Sequence, residues 1–127
     1  MNRFKGDLPQ RTFDIALRVI SLLDDLPNNV KGWVLGKQLL RAGTSVGANL
    51  READEAYSDR DFAHRCSVAK KEASETDYWL RLCREAGLLP PDAVSSIVTE
   101  LSEVTRTLST IIGKVQARLA REESSKT

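Results

Sequence analysis

Apolar residues recur at three- and four-residue spacing along most of this chain, and the recurrence breaks three times. In the first stretch Phe13, Ala16, Leu17, Ile20, Leu23 and Leu26 share one face, and Ile15, Val19 and Leu22 widen the stripe past half of the helix circumference. A helix over about 12–26 is expected, with Thr12 as its N-cap, and its broad apolar surface implies contact with more than one neighbour. Leu26-Pro27-Asn28-Asn29 ends it, because proline disfavours helical geometry in the preceding residue and asparagine favours turns.

A second helix is expected over about 31–56, with Val34, Leu39, Ala42, Val46, Leu50 and Ala53 inside. It contains Gly32, Gly36, Gly43 and Gly47, although each glycine costs about 1 kcal/mol relative to alanine in a helix interior. Close approach of another backbone would explain their presence, so Gly43 and Gly47, with Ala48, are candidates for a tight helix contact within the subunit or between subunits.

Ser58 is the expected cap of a third helix over about 59–86, with Asp59 and Asp61 in the first turn, where the helix dipole favours negative charge. Its inner residues are Phe62, Cys66, Ala69, Ala73, Thr76, Leu80 and Cys83, and Gly87 is placed to end it. After Pro90-Pro91, Asp92 opens a fourth helix over about 92–120, whose apolar positions run from Val94 through Ile97, Leu101, Val104, Leu108 and Ile112 to Leu119. Residues from Arg121 onward lose the periodicity and are expected to fray.

Three short connections make consecutive helices antiparallel neighbours. The expected architecture is all-α: an antiparallel up-down-up-down four-helix bundle forming a single domain over 1–127, with its core within about 10–120.

Composition narrows the function classes. The chain has 127 residues, 41% of them hydrophobic and 29% charged, which is close to the globular average. No apolar run approaches the ~20 residues of a spanning helix, and the polar first residues lack a signal-peptide core, so a cytoplasmic location away from membranes is expected. A net charge of +1 gives no global reason to expect a polyanionic partner.

Cys66 and Cys83 lie on one expected helix, roughly 25 Å apart at 1.5 Å per residue, too far for a disulfide. His64 is the sole histidine, so the Glu-x-x-His pairs of a di-iron bundle cannot be assembled. No nucleophile has an evident activating base, and no glycine-rich phosphate loop is present. The expectation is a protein that is not an enzyme, with no catalytic residue, metal or cofactor.

The informative anomaly is polar. Arg41, Ser45 and Asn49 recur every four residues beside the apolar stripe of the second helix, with Glu52 three further on, while Glu72 and Glu75 lie near the inner face of the third. If the hairpin folds about Tyr57, Arg41 comes within reach of Glu72 or Glu75. Interhelical hydrogen bonds and ion pairs of this kind fix helix register, and that structural role is the expectation for the row.

Tyr78 and Trp79 are adjacent on one helix and cannot both enter one core, so they and Trp33 join Gly43 and Gly47 as a candidate oligomer interface. Basic residues Arg51, Arg60, Arg65, Lys70, Lys71, Arg81 and Arg84 are a candidate RNA or DNA contact, formed if assembly collects them along a ring or groove.

The stretch from Gly47 to Cys83, GANLREADEAYSDRDFAHRCSVAKKEASETDYWLRLC, closely resembles the 23S rRNA intervening-sequence proteins. The matching positions are Ser45, Gly47, Ala48, Asn49, Glu52 and Ala53 on the second helix. On the third they are Asp61-Phe62, then Lys71-Glu72-Ala73, Glu75-Thr76 and Tyr78-Trp79-Leu80. The likeness spans roughly residues 10–118; Val46 stands where isoleucine is commoner, a conservative departure. The resemblance implies a small bacterial four-helix bundle that assembles with itself into a ring, often a pentamer. These proteins are also similar in fold to retroelement accessory proteins that bind a reverse transcriptase and nucleic acid, which adds a partner protein, RNA or DNA to the expectations.

Overall fold

A computed structural model describes residues 3–126. Its helices are α1 (Leu8–Leu22), α2 (Val30–Asp54), α3 (Asp59–Glu85) and α4 (Pro91–Ser125), with a short 3-10 turn over Leu23–Asp25, and no strand occurs among the described residues. The side-chain pairs define the topology. Gly47 meets Thr12 while Gly36 meets Leu26, Arg41 reaches Glu72 while Arg65 reaches Asn49, and Arg84 reaches Ser95 while Asp59 meets Arg118. Arg18 and Arg11 reach Ser96 and Glu100 in turn. Each pairing runs in opposite sequence directions, so every neighbouring pair is antiparallel and the chain runs up, down, up, down.

Local chemistry accounts for the ends of α2 and α3. The Asn29 side chain accepts from the Gly32 N–H at 3.1 Å, and the Ser58 hydroxyl accepts from the Asp61 N–H at 3.1 Å. At the far end of α3, Gly87 adopts φ +74°, and the Leu88 N–H bonds the Cys83 carbonyl at 2.8 Å in a Schellman turn.

α1 departs from the expectation at both ends and in its orientation. It starts at Leu8, four residues before Thr12, because Pro9 occupies the first turn, where the lost N–H has no helical partner in any case. Thr12 is therefore no cap: it is fully buried, and its hydroxyl donates to the Pro9 carbonyl at 3.0 Å. The buried face is Leu8, Thr12, Ile15, Val19 and Leu22. Phe13, Leu17 and Ile20, expected inside, are 59%, 52% and 47% exposed. On α2, Val34 is likewise exposed, while Leu39, Ala42, Val46, Leu50 and Ala53 are buried. The inner residues expected for α3 are all buried, and α4 buries the stripe from Val94 to Val115 but continues as exposed helix to Ser125 instead of fraying.

α2 and α3 share the most extensive contact, and α1 touches α4 less than it touches α2. Before α1 begins, the segment 3–7 crosses the end of the bundle beside the turn between α2 and α3. The Arg3 N–H donates to Asp54 Oδ1 at 2.7 Å, and its guanidinium bonds the Ala56 carbonyl at 2.9 Å and Asp59 at 3.1 Å. Arg118 holds the other Asp59 oxygen at 3.1 Å; the Arg118 hydrogen bond, then that of Arg3, keeps the Asp59 carboxyl below the usual carboxylate range.

Both cysteines are free and buried in this core. Burial pushes the Cys66 thiol up to about 12 and raises Cys83 as well, so neither forms a thiolate near neutral pH. Native protein at pH 8 is expected to leave both thiols unreacted toward a disulfide reagent, with two equivalents released on denaturation; rapid labelling of folded protein would contradict this packing.

Candidate functional site

The polar row of α2 is built on the side that faces α3. Arg41 Nη1 donates to Glu72 at 3.2 and 3.3 Å, and Nη2 donates to Glu75. The Ser45 hydroxyl donates to the Arg41 carbonyl at 2.6 Å, the Asn49 amide donates to the Ser45 carbonyl at 2.8 Å, and Arg65 reaches Asn49 Oδ1 at 3.5 Å. Beneath the row, buried Thr76 donates to the Glu72 carbonyl at 2.7 Å. Arg41 keeps 45% of its side chain exposed, so each ion pair contributes no more than about 1 kcal/mol. Fixing the rotation of α2 against α3 is the larger effect of a guanidinium fork spanning two carboxylates one turn apart.

Glu52 stands apart from the row, exposed and without a side-chain partner among the described residues. The two glutamates of α3 share Arg41, and no group of three or more His, Cys, Asp or Glu placed to hold a metal ion occurs among the described residues. His64 is exposed on α3. No described helix is long and apolar enough to cross a membrane.

The structure divides the candidate interface residues. A Cβ on Gly43 would lie 3.0 Å from Val19 Cγ1, and one on Gly47 would lie 3.3 Å from Thr12 Oγ1. These glycines let α1 approach α2 within the subunit, which removes them from the candidate intersubunit surface. Trp33 is 61% exposed, its indole N–H donating to Asn28 Oδ1 at 2.9 Å. Tyr78 points outward and Trp79 packs sideways against the core, the two rings meeting edge to face at 5.2 Å. The Trp79 indole N–H is buried without an acceptor.

What the sequence reading missed is the continuity of exposed apolar surface. Phe13, Leu17 and Ile20 form an i, i+4, i+7 stripe along the outside of α1. Leu40 and Trp33, seven residues apart on α2, continue that surface, since Gly43 and Gly36 of the same helix set α2 against Val19 and Leu26. Val30, Trp33 and Val34, exposed one turn apart on α2, carry apolar surface toward exposed Tyr78 and Leu82 of α3, since Val34 stands opposite the Leu82 end in the register set by Arg41 and Glu75. Broken periodicity at Phe13, Leu17 and Ile20 was never available as a signal, because they continue the spacing of a core face.

The basic candidates do not converge. Arg51 lies 4.0 Å from Glu55, Arg65 reaches Asn49, Arg81 pairs with Asp77 at 3.1 Å, and Arg84 pairs with Glu85 at 2.9 Å. Arg60 and Lys71 are exposed and Lys70 partly so. Arg60 and Arg84 are separated by roughly 36 Å of helix.

With the geometry in place, comparison with known proteins gives a consistent result. Residues 6–110 match the family described as 23S rRNA-intervening sequence protein. A crystal structure of a protein with unknown function from the S23 ribosomal protein family, from Bacteroides thetaiotaomicron, is 38% identical with a TM-score of 0.77. The alignment covers 83% of this chain and 97% of that one. No curated protein matches.

Proposed function

This chain belongs to the family of 23S rRNA-intervening sequence proteins, and on that premise we propose that it is a non-enzymatic bundle that assembles with itself and serves as a binding or scaffolding module. The observation that carries the reading is the apolar stripe of Phe13, Leu17 and Ile20, continued by Leu40 and Trp33 on α2. Contiguous exposed apolar surface of this kind marks an interaction site, because leaving it in water forgoes about 25 cal/mol per Å².

The partner is a second copy, and the number of copies is five. Exposed apolar side chains extend over three helices: Phe13, Leu17 and Ile20 on α1, Val30, Trp33, Val34 and Leu40 on α2, and Tyr78 and Leu82 on α3. A surface this wide exceeds what one self-complementary patch needs, and its α1 end meeting the α3 end of a neighbour head to tail gives a ring where the rotation between copies closes. The ring of five is the arrangement implied by the family resemblance. Nucleic-acid binding has less support, since four of its seven candidate cations already engage Glu55, Asn49, Asp77 and Glu85.

Light scattering coupled to size exclusion tests the reading. The wild type is expected at about five times the chain mass, and Leu17→Glu and Tyr78→Glu are each expected to give folded monomers, since a head-to-tail contact fails when either of its two ends is charged. A stable wild-type monomer at micromolar concentration would remove the proposal. A dimer that survives Tyr78→Glu and is lost in Leu17→Glu would replace the ring with a two-fold pair.

A further inference from the structure

The end of the bundle that segment 3–7 crosses holds a cleft of about 570 Å³, a volume within the ~300–1,000 Å³ of ordinary small-molecule sites. Segment 3–7 forms one wall, and the floor is apolar: Phe4, Leu8, Phe62, Ile111 and Val115. Phe4 and Phe62 stack at 5.3 Å with their rings tilted, and the Arg3 guanidinium lies 5.3 Å above the Phe62 ring. These contacts give the wall a fixed position, which Arg3 secures through Asp54, Ala56 and Asp59.

The rim is predominantly basic. Arg3, Lys5, Arg11, Lys114 and Arg118 line the cleft, and Asp7 is the one carboxylate among its lining residues. Three of the five cations are engaged: Arg3 and Arg118 share Asp59, and Arg11 reaches Glu100 at 3.0 Å and Glu103 at 3.4 Å. Lys5 and Lys114 have no ion-pair or hydrogen-bond partner among the described residues. They come from different elements, one from the strap and one from α4, and line the cleft with two phenylalanines and three aliphatic side chains.

We propose that this cleft binds a small amphipathic carboxylate, with the head group between Lys5 and Lys114 and the hydrocarbon on the Phe4, Phe62 and Ile111 floor. A fully polar anion would leave the floor wet, and a neutral hydrocarbon would leave both ammonium groups unpaired at its edge. Only a ligand carrying both features satisfies both surfaces.

Titration calorimetry of the full chain with decanoate, decanol and acetate, each kept below any micelle threshold, tests this assignment. Decanoate is expected to bind one per chain with a dissociation constant on the order of 100 µM, and decanol and acetate at least about tenfold more weakly. Lys5→Gln with Lys114→Gln is expected to bring decanoate down to the level of decanol, with helical content unchanged by circular dichroism. Equal binding of decanoate and decanol by the wild type would overturn the proposal. So would unchanged decanoate affinity in the folded double variant, which would place the binding elsewhere, or no saturable decanoate binding at millimolar concentration.

Discussion

Gly32→Ala is expected to destabilise the protein by about 2 kcal/mol or more, although helix propensity alone favours alanine by about 1 kcal/mol. A Cβ at this position would lie 1.8 Å from the Pro27 carbonyl oxygen, a backbone atom with no rotamer to retreat into. Relief requires moving either the Pro27-Asn28-Asn29 turn or the first turn of α2. Either movement strains the Asn29 cap on the Gly32 N–H, which contributes about 1 kcal/mol by itself. The control is Gly113→Ala in α4, where nothing lies within 4 Å of the added methyl and a gain of up to about 1 kcal/mol is expected. Urea denaturation of the two variants reads both signs. A stabilised Gly32→Ala protein would show that the turn before α2 is not packed as described.

The second large effect separates two neighbouring residues of α1. Ile15 is 1% exposed and Leu17 is 52% exposed, so Ile15→Ala is expected to cost about 2–5 kcal/mol through lost burial and a residual cavity. Leu17→Ala is expected to change the stability of the dissociated chain by no more than about 0.5 kcal/mol. Measured by denaturation at a concentration low enough to exclude association, this ordering tests the rotation of α1 directly. Comparable losses at the two positions would mean that α1 buries the other face. The same Leu17 substitution should weaken assembly at high concentration, which keeps its structural and associative effects distinguishable.

Much of the fold was legible because the signals are local. Ser58 before Asp59 and Asp61, Gly87 after the last turn of α3, and Pro27 with its two asparagines act within a few residues of where they stand. The inner faces of α3 and α4 were legible for a related reason. Their apolar residues fill one narrow stripe, and a narrow stripe leaves only one rotation that buries it. The reach from Arg41 to Glu72 and Glu75 followed from folding α2 and α3 about a short turn, since loop length and helical rise together fix which residues stand opposite.

The rest was decided by tertiary structure. α1 carries two overlapping apolar stripes, Ile15-Val19-Leu22 and Phe13-Leu17-Ile20, and spacing along the chain cannot say which one meets the glycines of α2. Gly43 and Gly47 settle it, because their missing side chains accept Val19 and Thr12 and draw that face inward. The strap and the cleft beneath it depend on Arg3 meeting Asp59 and Arg118 meeting the same carboxylate, contacts between residues more than fifty positions apart. Amino-acid order alone therefore determined how many helices form, where α2 and α3 start and stop, and which helices pair. Which face of α1 turns inward, and what the ends of the bundle enclose, depended on steric fit between distant segments, and steric fit leaves no periodic trace in a sequence.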